Sequence, residues 1–340
     1  MTSTPRTAPE AQLDVLGIGC AAVDERLYLS QFPAADGKGR ILRREPSLGG
    51  LTAVALVAAA RMGARTAYAG RLGTDHLSQF VEHALREYGV ATGDVVRNLD
   101  ACPGRSTILI DESAGTRTVL SEVVGLRGAD EQLPEAELVR QSRVLFVDGH
   151  GLDGSIRAAK IAREAGRSVV ADFERNHAGD FDTLFGLVDH LILPAAFATA
   201  RTGYADLAEA AAALLVPGRA AVVVTSGSSG GLFCSTDCAP TRYAAFRVDA
   251  RDTTGCGDVF HGVYAAGLAL GWELKKRIQY AAAAAAVKAA GRGGTDSIPT
   301  RAAVEQFLSN DADTRSELSA AGSANNELDR DQRLGVRYEQ

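Results

Sequence analysis

The chain has 340 residues, which is enough for a large hydrophobic core in one or two domains. Hydrophobic residues make up 46% of it, charged residues make up 23%, and the formal net charge is −6. These values are typical of a globular protein and argue against a general nucleic-acid or membrane-surface binder. Since no apolar run is long enough to span a bilayer uninterrupted by charge, we expect neither nucleic acid nor a membrane as a partner.

The N-terminal segment and the cysteines indicate where the protein works. Residues 1–12 carry no apolar signal-peptide core and predict a disordered leader. The five cysteines are odd in number in a large chain without a secretion signal, so we expect free thiols in a reducing cytoplasm. Cys234 and Cys238 have loose metal spacing, but no second pair lies nearby in sequence, so a closed zinc site is not expected.

The first third of the chain predicts a buried strand, a polar β region and a long helix. The apolar run Leu13–Gly19 predicts a strand, and Asp24 follows it, which suits contact with ligand hydroxyls unless Asp24 is simply a surface residue. Arg26–Leu29 alternates like an edge strand. Gly49 and Gly50 form either a hinge or a tight turn before a helix over residues 52–61.

The rest of the first half predicts another strand, a helix and a β-hairpin. The pattern predicts a strand over residues 65–71 and a helix over 76–88. Residues 104–110 and 117–120 predict a β-hairpin. We assign this hairpin and the β region before Gly49 to one small sheet, over residues 25–46 and 104–121. One face of such a sheet must be covered, which suggests pairing with a second copy of the chain.

Regular alternation of strands and helices begins at Val144 and predicts a parallel sheet with helices on both faces. The predicted strands cover residues 144–148, 168–172, 190–194 and 221–225. Asp148 and His150 stand at the end of the first of these, where either one contacts a substrate or Asp148 merely caps a turn. Asp172 ends the next strand. The small residues after Thr225 form a loop that suits phosphates.

The stretch from Asp252 to Asp258 carries the strongest chemical signal. Gly255 and Gly257 permit a tight turn into a helix, whose N-terminal N–H groups suit an anion. Asp258 lies in the first turn, where its carboxylate is placed to take a proton from an attacking hydroxyl. The simpler alternative is that Asp258 only stabilises the helix.

The sequence Asp-Thr-Thr-Gly-Cys-Gly-Asp at residues 252–258 resembles the C-terminal signature of the PfkB (ribokinase-like) carbohydrate kinases, with Cys256 in place of the usual alanine. Gly49 and Gly50 resemble the family's first glycine pair. The resemblance spans residues 13–308. It implies a ribokinase-like three-layer α/β/α sandwich with a mainly parallel sheet and a small β-sheet lid. Residues 309–340 are polar and aperiodic and predict a mobile tail.

The resemblance also implies roles for individual residues in transfer of the ATP γ-phosphoryl group to a sugar hydroxyl. Asp258 would be the base, and the amides of Gly255, Cys256 and Gly257 would form an anion hole. The implied substrate contacts are Asp24, Gly49, Gly50, Asp148, His150 and Asp258. The implied nucleotide contacts are Thr225, Ser226, Gly227, Ser228, Ser229, Gly230, Gly257 and Asp172. ATP and Mg²⁺ are the implied cofactors, with Asp252 and Thr254 as a candidate site for a monovalent cation such as K⁺.

Two departures from the family pattern concern the sugar contacts and the magnesium ligands that the resemblance implies. Val54 stands where ribokinases carry the asparagine that binds the pentose. Residues 195–198 read Ala-Ala-Phe-Ala where an Asn-x-x-Glu motif usually organises magnesium, so that role would fall to water and to Asp172 or Glu174. The chain looks most similar to ketohexokinase-like and sulfofructose-kinase-like members, which favours a ketose or a sugar acid. A nucleoside kinase, and a catalytically weak binding or regulatory protein, are the alternatives.

Overall fold

A computed structural model describes residues 13–311, apart from residues 115 and 123. The predicted leader and nearly all of the predicted tail lie outside the described residues. Fifteen strands are assigned within them: β1 Leu13–Gly17, β2 Ala22–Leu29, β3 Ile41–Gly49, β4 Thr66–Tyr68, β5 Arg71–Leu72, β6 Val90–Ala91, β7 Val96–Arg97, β8 Gly104–Asp111, β9 Thr116–Glu122, β10 Ser142–Asp148, β11 Ser168–Asp172, β12 His190–Pro194, β13 Ala221–Thr225, β14 Gly231–Ser235 and β15 Cys238–Tyr243.

The helices cover both faces of the large sheet. Their bounds are α1 Leu51–Arg61, α2 His76–Glu87, α3 Ala136–Arg140, α4 Leu152–Glu164, α5 Phe181–Leu187, α6 Ala195–Thr202, α7 Leu207–Leu214, α8 Cys256–Ala269 and α9 Leu274–Ala290, followed by a helical segment at 301–311. Among the described residues, no helix is both long and apolar enough to cross a membrane.

Nine strands form the large sheet, in the order β15-β14-β13-β12-β11-β10-β1-β4-β6. The pairings from β6 to β13 are parallel, and β14 and β15 add an antiparallel edge. Side chains alternate between two cores, so that Val223 faces one while Val222 and Val224 face the other. The predicted three-layer α/β/α architecture is confirmed.

Helices α1 and α8 pack so closely that their backbones are in contact. A Cβ placed on Gly262 in α8 would lie 2.0 Å from the carbonyl oxygen of Ala55 in α1, so only glycine fits there. The two helices also share a core, since Val54, Leu56, Val259 and Val263 belong to one buried cluster. The helix that follows the glycine pair is therefore held directly against the helix that carries Asp258.

Four strands form a separate sheet in the order β3-β2-β8-β9, which we call the lid. The predicted hairpin is confirmed as the antiparallel pair β8–β9. The prediction of an edge strand at Arg26–Leu29 is wrong, because β2 lies between β3 and β8 and pairs with both. All four residues are buried in the structure. The strand expected over residues 65–71 is also broken, into β4 and β5.

Candidate active site

Asp258 lies at the N-terminal end of α8, as the sequence predicts. Gly255 precedes the helix with φ 74°, a left-handed conformation that favours glycine, and its carbonyl accepts the first helical hydrogen bond from Val259 at 2.9 Å. The N–H of Cys256 makes a long hydrogen bond of 3.3 Å back to Thr253. The first turn of α8 thus presents its N–H groups beside the Asp258 carboxylate.

A pocket between the lid and the large domain brings most of the predicted catalytic and substrate residues together. Asp24, Gly49 and Gly50 line it from the lid side, and Thr254, Gly255 and Asp258 line it from the helix side. Burial raises the pKa of Asp24 above its ordinary value. The pocket therefore holds two carboxyl groups around a space that a small polar ligand enters.

The glycine pair is required by the close approach of the lid to the large domain. A Cβ on Gly49 would lie 2.4 Å from Oδ2 of Asp24, and a Cβ on Gly50 would lie 2.6 Å from the Cα of Ala21. Gly50 also has φ 93°, a conformation that other residues adopt only with strain. Both glycines thus keep the floor of the pocket open around Asp24.

Three acidic groups crowd the site where Asp258 lies. Burial raises the pKa of Asp258 well above its ordinary value, and the negative charges of Asp172 and Glu174 raise it further. Burial and Glu174 likewise raise the pKa of Asp172. The Nδ1 of His261 is 3.3 Å from Oδ2 of Asp172 and 2.8 Å from the Gly257 carbonyl oxygen, to which it donates. This crowding of carboxylates favours a bound cation or proton.

Replacing Asp172 with asparagine is expected to stabilise the ligand-free protein, and more so at pH 8 than at pH 5. A carboxyl group whose pKa is raised on folding loses stability as the pH rises from its unfolded value toward its folded value, and the substitution removes one such group and relieves Asp258. The measurement is Tm in EDTA from pH 5 to pH 8. Asp237→Asn, at an exposed position, is the control, and an equal response of both variants would contradict the prediction.

Asp148 and His150 do not reach this pocket. Both oxygens of the buried Asp148 carboxylate accept hydrogen bonds within the protein, from the N–H of Cys20 at 2.7 Å, Thr52 at 2.8 Å and the N–H of His150 at 2.8 Å. Burial alone would raise its pKa, but these bonds and the His150 ring lower it to about 2. These hydrogen bonds connect β10 to the start of α1, and the substrate role of Asp148 and His150 stays a prediction.

The predicted monovalent-cation site is also corrected, because a side-chain ammonium lies there. Lys288 in α9 is 1% exposed, and its Nζ donates to the Asp252 carbonyl at 3.1 Å and lies 3.4 Å from Oδ2 of Asp252. Burial would raise the pKa of Asp252, but the Lys288 charge and the Thr254 N–H lower it overall. A K⁺ ion would compete with this ammonium for the same oxygens, so Asp252 and Thr254 do not fit a K⁺ site.

The predicted nucleotide loop follows β13 at the carboxyl edge of the large sheet. Gly227–Ser229 form a short 3₁₀ turn, with hydrogen bonds from Ser226 to the Gly230 carbonyl at 2.7 Å and from Gly230 to the Gly227 carbonyl at 3.1 Å. Gly227 and Gly230 have positive φ, as a tight turn of this kind requires. The Ser226 hydroxyl is buried and has no hydrogen-bond partner among the described residues.

A family model described as pfkB family carbohydrate kinase matches residues 13–301. The chain belongs to this family. A ribokinase from Haemophilus influenzae is 30% identical over 76% of this chain and 87% of its own length. An ATP-dependent ribose-1-phosphate kinase from Halopiger xanaduensis is 28% identical over 87% of this chain and 98% of its own. The structure of Arabidopsis thaliana ribokinase complexed with ribose and ATP has a TM-score of 0.75 at 22% identity, covers 87% and 98% of the two chains and shows the fold.

As a pfkB family member, the protein is a phosphotransferase that acts on a sugar hydroxyl. Its departures from the family pattern lie in recognisable places of the fold. Ala195 to Ala198 form the first turn of α6, directly after β12, and carry no polar side chain. Val54 lies in α1 and lines the pocket beside Gly50, so an apolar side chain stands at this position of the pocket.

Two pocket residues escaped the sequence analysis. Arg26 on β2 and Lys288 on α9 both line the pocket and are both buried. Arg26 stands two residues after Asp24, a spacing that puts both on one face of a strand and would have identified it. Lys288 interrupts an apolar helical run, and a lysine in such a place is rarely buried without a partner.

Proposed function

We propose that this pfkB protein transfers the γ-phosphoryl group of ATP to a hydroxyl of a small carbohydrate, a ketose or a sugar acid, with Asp258 as the general base. The observation that carries the proposal is the position of Asp258, which shares one pocket with Asp24 and the glycine pair and stands beside the N-terminus of α8. The substrate oxygen attacks the γ-phosphorus while its proton passes to Asp258, and the bond to the ADP oxygen breaks.

The environment of Asp258 supports this role. A carboxyl group with a pKa raised by burial and by Asp172 and Glu174 is a stronger base than a solvent-exposed aspartate. The amides at the start of α8, from Gly255 through Gly257, offer donors to the charge that develops on the transferred phosphoryl group. Base and donors belong to one helical turn, so their relative geometry is fixed before substrate binds.

The residues that would hold Mg²⁺ are Asp172 and Glu174. Oδ2 of Asp172 is buried and accepts no hydrogen bond from the described residues, which fits an oxygen-seeking cation or a water bound to one. Glu174 stands exposed two residues later. When bound, Mg²⁺ offsets the negative charge of the ATP phosphates. The loop from Thr225 to Gly230 would contact the nucleotide, with the Ser226 hydroxyl as one donor.

The test is ADP release with Mg²⁺ and ATP across ketoses, aldoses, sugar acids, sugar phosphates and nucleosides. Turnover with one class of sugar would establish the kinase and its substrate class. The related kinase from Halopiger xanaduensis is named for ribose 1-phosphate, so sugar phosphates belong in the set. Turnover with nucleosides alone would replace the proposal. Absence of turnover with every compound, despite ATP binding, would favour a binding or regulatory protein.

We further propose that the lid pairs with the lid of a second copy. Large apolar side chains are exposed on both outer strands, at Ile41 and Leu42 on β3 and at Val119 and Leu120 on β9. Each of the four is between 42% and 54% exposed, and exposed apolar side chains on the edge strands of a sheet favour pairing with another chain. A two-fold pair of lids would cover these residues on both copies.

Charging both faces of β9 is expected to convert the dimer into a monomer. The double variant Val119→Glu with Leu120→Glu would replace two apolar side chains with carboxylates in each copy, which places four carboxylates in a two-fold interface. Light scattering after size exclusion gives the mass of each species. Val216→Glu, at an exposed site outside the lid, is the matched control. A wild-type protein that is monomeric at micromolar concentration would contradict the proposal.

A further inference from the structure

A buried arginine in the pocket lacks hydrogen-bond acceptors for two of its nitrogens. The Arg26 side chain is 4% exposed, and its Nε and Nη1 have no hydrogen-bond acceptor among the described residues. Its Nη2 is 3.4 Å from Oε2 of Glu45, longer than the 2.7–2.9 Å typical of charge-assisted hydrogen bonds. Glu45 is instead engaged by Arg43, whose Nε lies 2.7 Å from Oε1. Burying a guanidinium with so few hydrogen bonds costs free energy, so the presence of Arg26 at this position calls for an explanation.

The packing around Arg26 holds the guanidinium in place against the pocket. A Cβ on Gly294 would lie 3.1 Å from both Cζ and Nη1 of Arg26, so the backbone of this loop lies directly against the guanidinium. The same Cβ would lie 3.0 Å from the Ser47 hydroxyl. On β2 the Arg26 side chain shares a face with Asp24, and both line the pocket that contains Asp258. Arg26 thus forms part of the wall of this pocket, with its Nε and Nη1 buried behind the pocket surface.

The neighbouring charges leave Arg26 as the cation that is free for a ligand. Among the described residues that line the pocket, the cations are Arg26 and Lys288. Lys288 is committed to the carbonyl and the carboxylate of Asp252. Asp24 and Asp258 suit hydroxyl groups, which donate hydrogen bonds, whereas the guanidinium offers only donors. The unused N–H donors of Nε and Nη1 suit the anionic oxygens of a carboxylate or a phosphate, because hydrogen bonds between two charged groups are the stronger ones.

We propose that the substrate carries an anionic group, a carboxylate or a phosphate, and that Arg26 binds it. The inference rests on the proposed kinase function and narrows its substrate class to sugar acids and sugar phosphates. Arg26 is two residues from Asp24 along β2, about 7 Å, so the anion lies that far from the hydroxyls held at Asp24.

The test compares related sugars with and without an anionic group. D-gluconate is paired with D-glucose, and D-fructose 6-phosphate and 1-phosphate are paired with D-fructose. We expect kcat/KM for one anionic member to exceed that of its neutral partner by about 10- to 100-fold. In Arg26→Met this preference should fall to less than about 3-fold through KM for the sugar, with KM for ATP unchanged. A preference for gluconate over glucose would indicate that the site binds a carboxylate. A preference for a fructose phosphate over fructose would indicate that it binds a phosphate.

The control is Arg44→Met, which removes an exposed arginine of the adjacent strand that pairs with Glu25 at 2.7 Å. It should keep the wild-type preference. Because Arg26 has so weak a partner, Arg26→Met should leave the Tm of the ligand-free protein unchanged or higher, whereas a purely structural arginine would lower it. Equal turnover of neutral and anionic sugars would overturn the inference and leave the kinase proposal standing.

Binding measured without ATP separates the two proposals. We expect the anionic sugars, and not their neutral partners, to raise Tm in wild type but not in Arg26→Met. If this occurs without any ADP release, the anion site stands and the kinase proposal fails. If no anionic sugar raises Tm and none is turned over, the anion site is refuted. If Arg26→Lys partly restores the preference for anionic over neutral sugars, the positive charge at position 26, and not only the shape of the side chain, contributes to binding.

Discussion

Replacing Asp258 with asparagine is expected to lower kcat by about 10²- to 10⁴-fold, with KM for ATP and for the sugar changed little. The amide keeps the shape of the side chain but cannot accept the substrate proton, and general-base catalysis contributes a factor of this size. Because the substitution removes a buried carboxyl group that burial, Asp172 and Glu174 disfavour when ionised, Tm should be unchanged or higher. Kinetics and thermal unfolding of the same preparation provide the measurement.

This combination of results distinguishes a catalytic role from a structural one. If Asp258 only stabilised the start of α8, its replacement would lower Tm and leave kcat of the folded fraction near the wild-type value. Asp153→Asn serves as the matched control, since Asp153 occupies the first turn of α4 and is exposed. A wild-type kcat in Asp258→Asn would refute the assignment of the base.

Replacing Lys288 with methionine is expected to lower both stability and activity. The substitution leaves the Asp252 carboxylate, 11% exposed, without its counter-charge, and breaking a buried pair in this way costs about 3–5 kcal/mol. The loop from Asp252 to Gly255 leads directly into α8, so a displaced Asp252 moves the amides of the anion hole. Urea unfolding at pH 7 and steady-state kinetics measure the two effects. Lys275→Met, at an exposed position of the same helix, should change neither.

Salt and pH give this prediction two further readouts. The wild-type protein should show the same activity in K⁺, Na⁺ or Li⁺ at constant ionic strength, because the Lys288 ammonium occupies the position of a bound cation at Asp252. In Lys288→Met, K⁺ or ammonium should recover activity that Li⁺ does not. The loss of stability should shrink below about pH 4, where Asp252 becomes protonated in the unfolded chain and in the variant. Strong K⁺ activation of the wild type would contradict the assignment.

Much of the large domain follows from local sequence. The apolar runs at residues 168–172, 190–194 and 221–225 coincide with β11, β12 and β13, because parallel strands buried on both faces read as continuous apolar segments. The turn into α8 and the placement of Asp258 also follow locally, since the glycines and the first helical residues are consecutive. These features depend on interactions within a few residues, which a sequence displays directly.

The features that escaped prediction depend on contacts between distant segments. Lys288 contacts Asp252, which lies 36 residues earlier in the chain, and no local sequence pattern indicates this pair. Asp148 stands at a strand end, where ligand contacts are common, but Cys20, just after the neighbouring strand β1, and Thr52 in α1 both donate hydrogen bonds to its Oδ2. Arg26–Leu29 alternates as an edge strand would, yet strand order depends on β8, as the register of Arg26 with Ile108, 82 residues later, shows. In each case tertiary pairing overrode the local signal.

The backbone contact between Gly262 and Ala55 divides the molecule into parts that are free to change at different rates in evolution. Asp258 and the amide donors are carried by α8, which is locked against α1, so their spacing does not depend on the lid. The groups that we propose to bind the sugar, Asp24 and Arg26, lie on β2 of the lid, and the neighbouring strand β3 joins α1 through Gly49 and Gly50. Mutations in the lid can therefore exchange one sugar for another without rebuilding the phosphoryl-transfer machinery. A lineage with this architecture acquires new substrates by small steps, each of which passes through a working kinase.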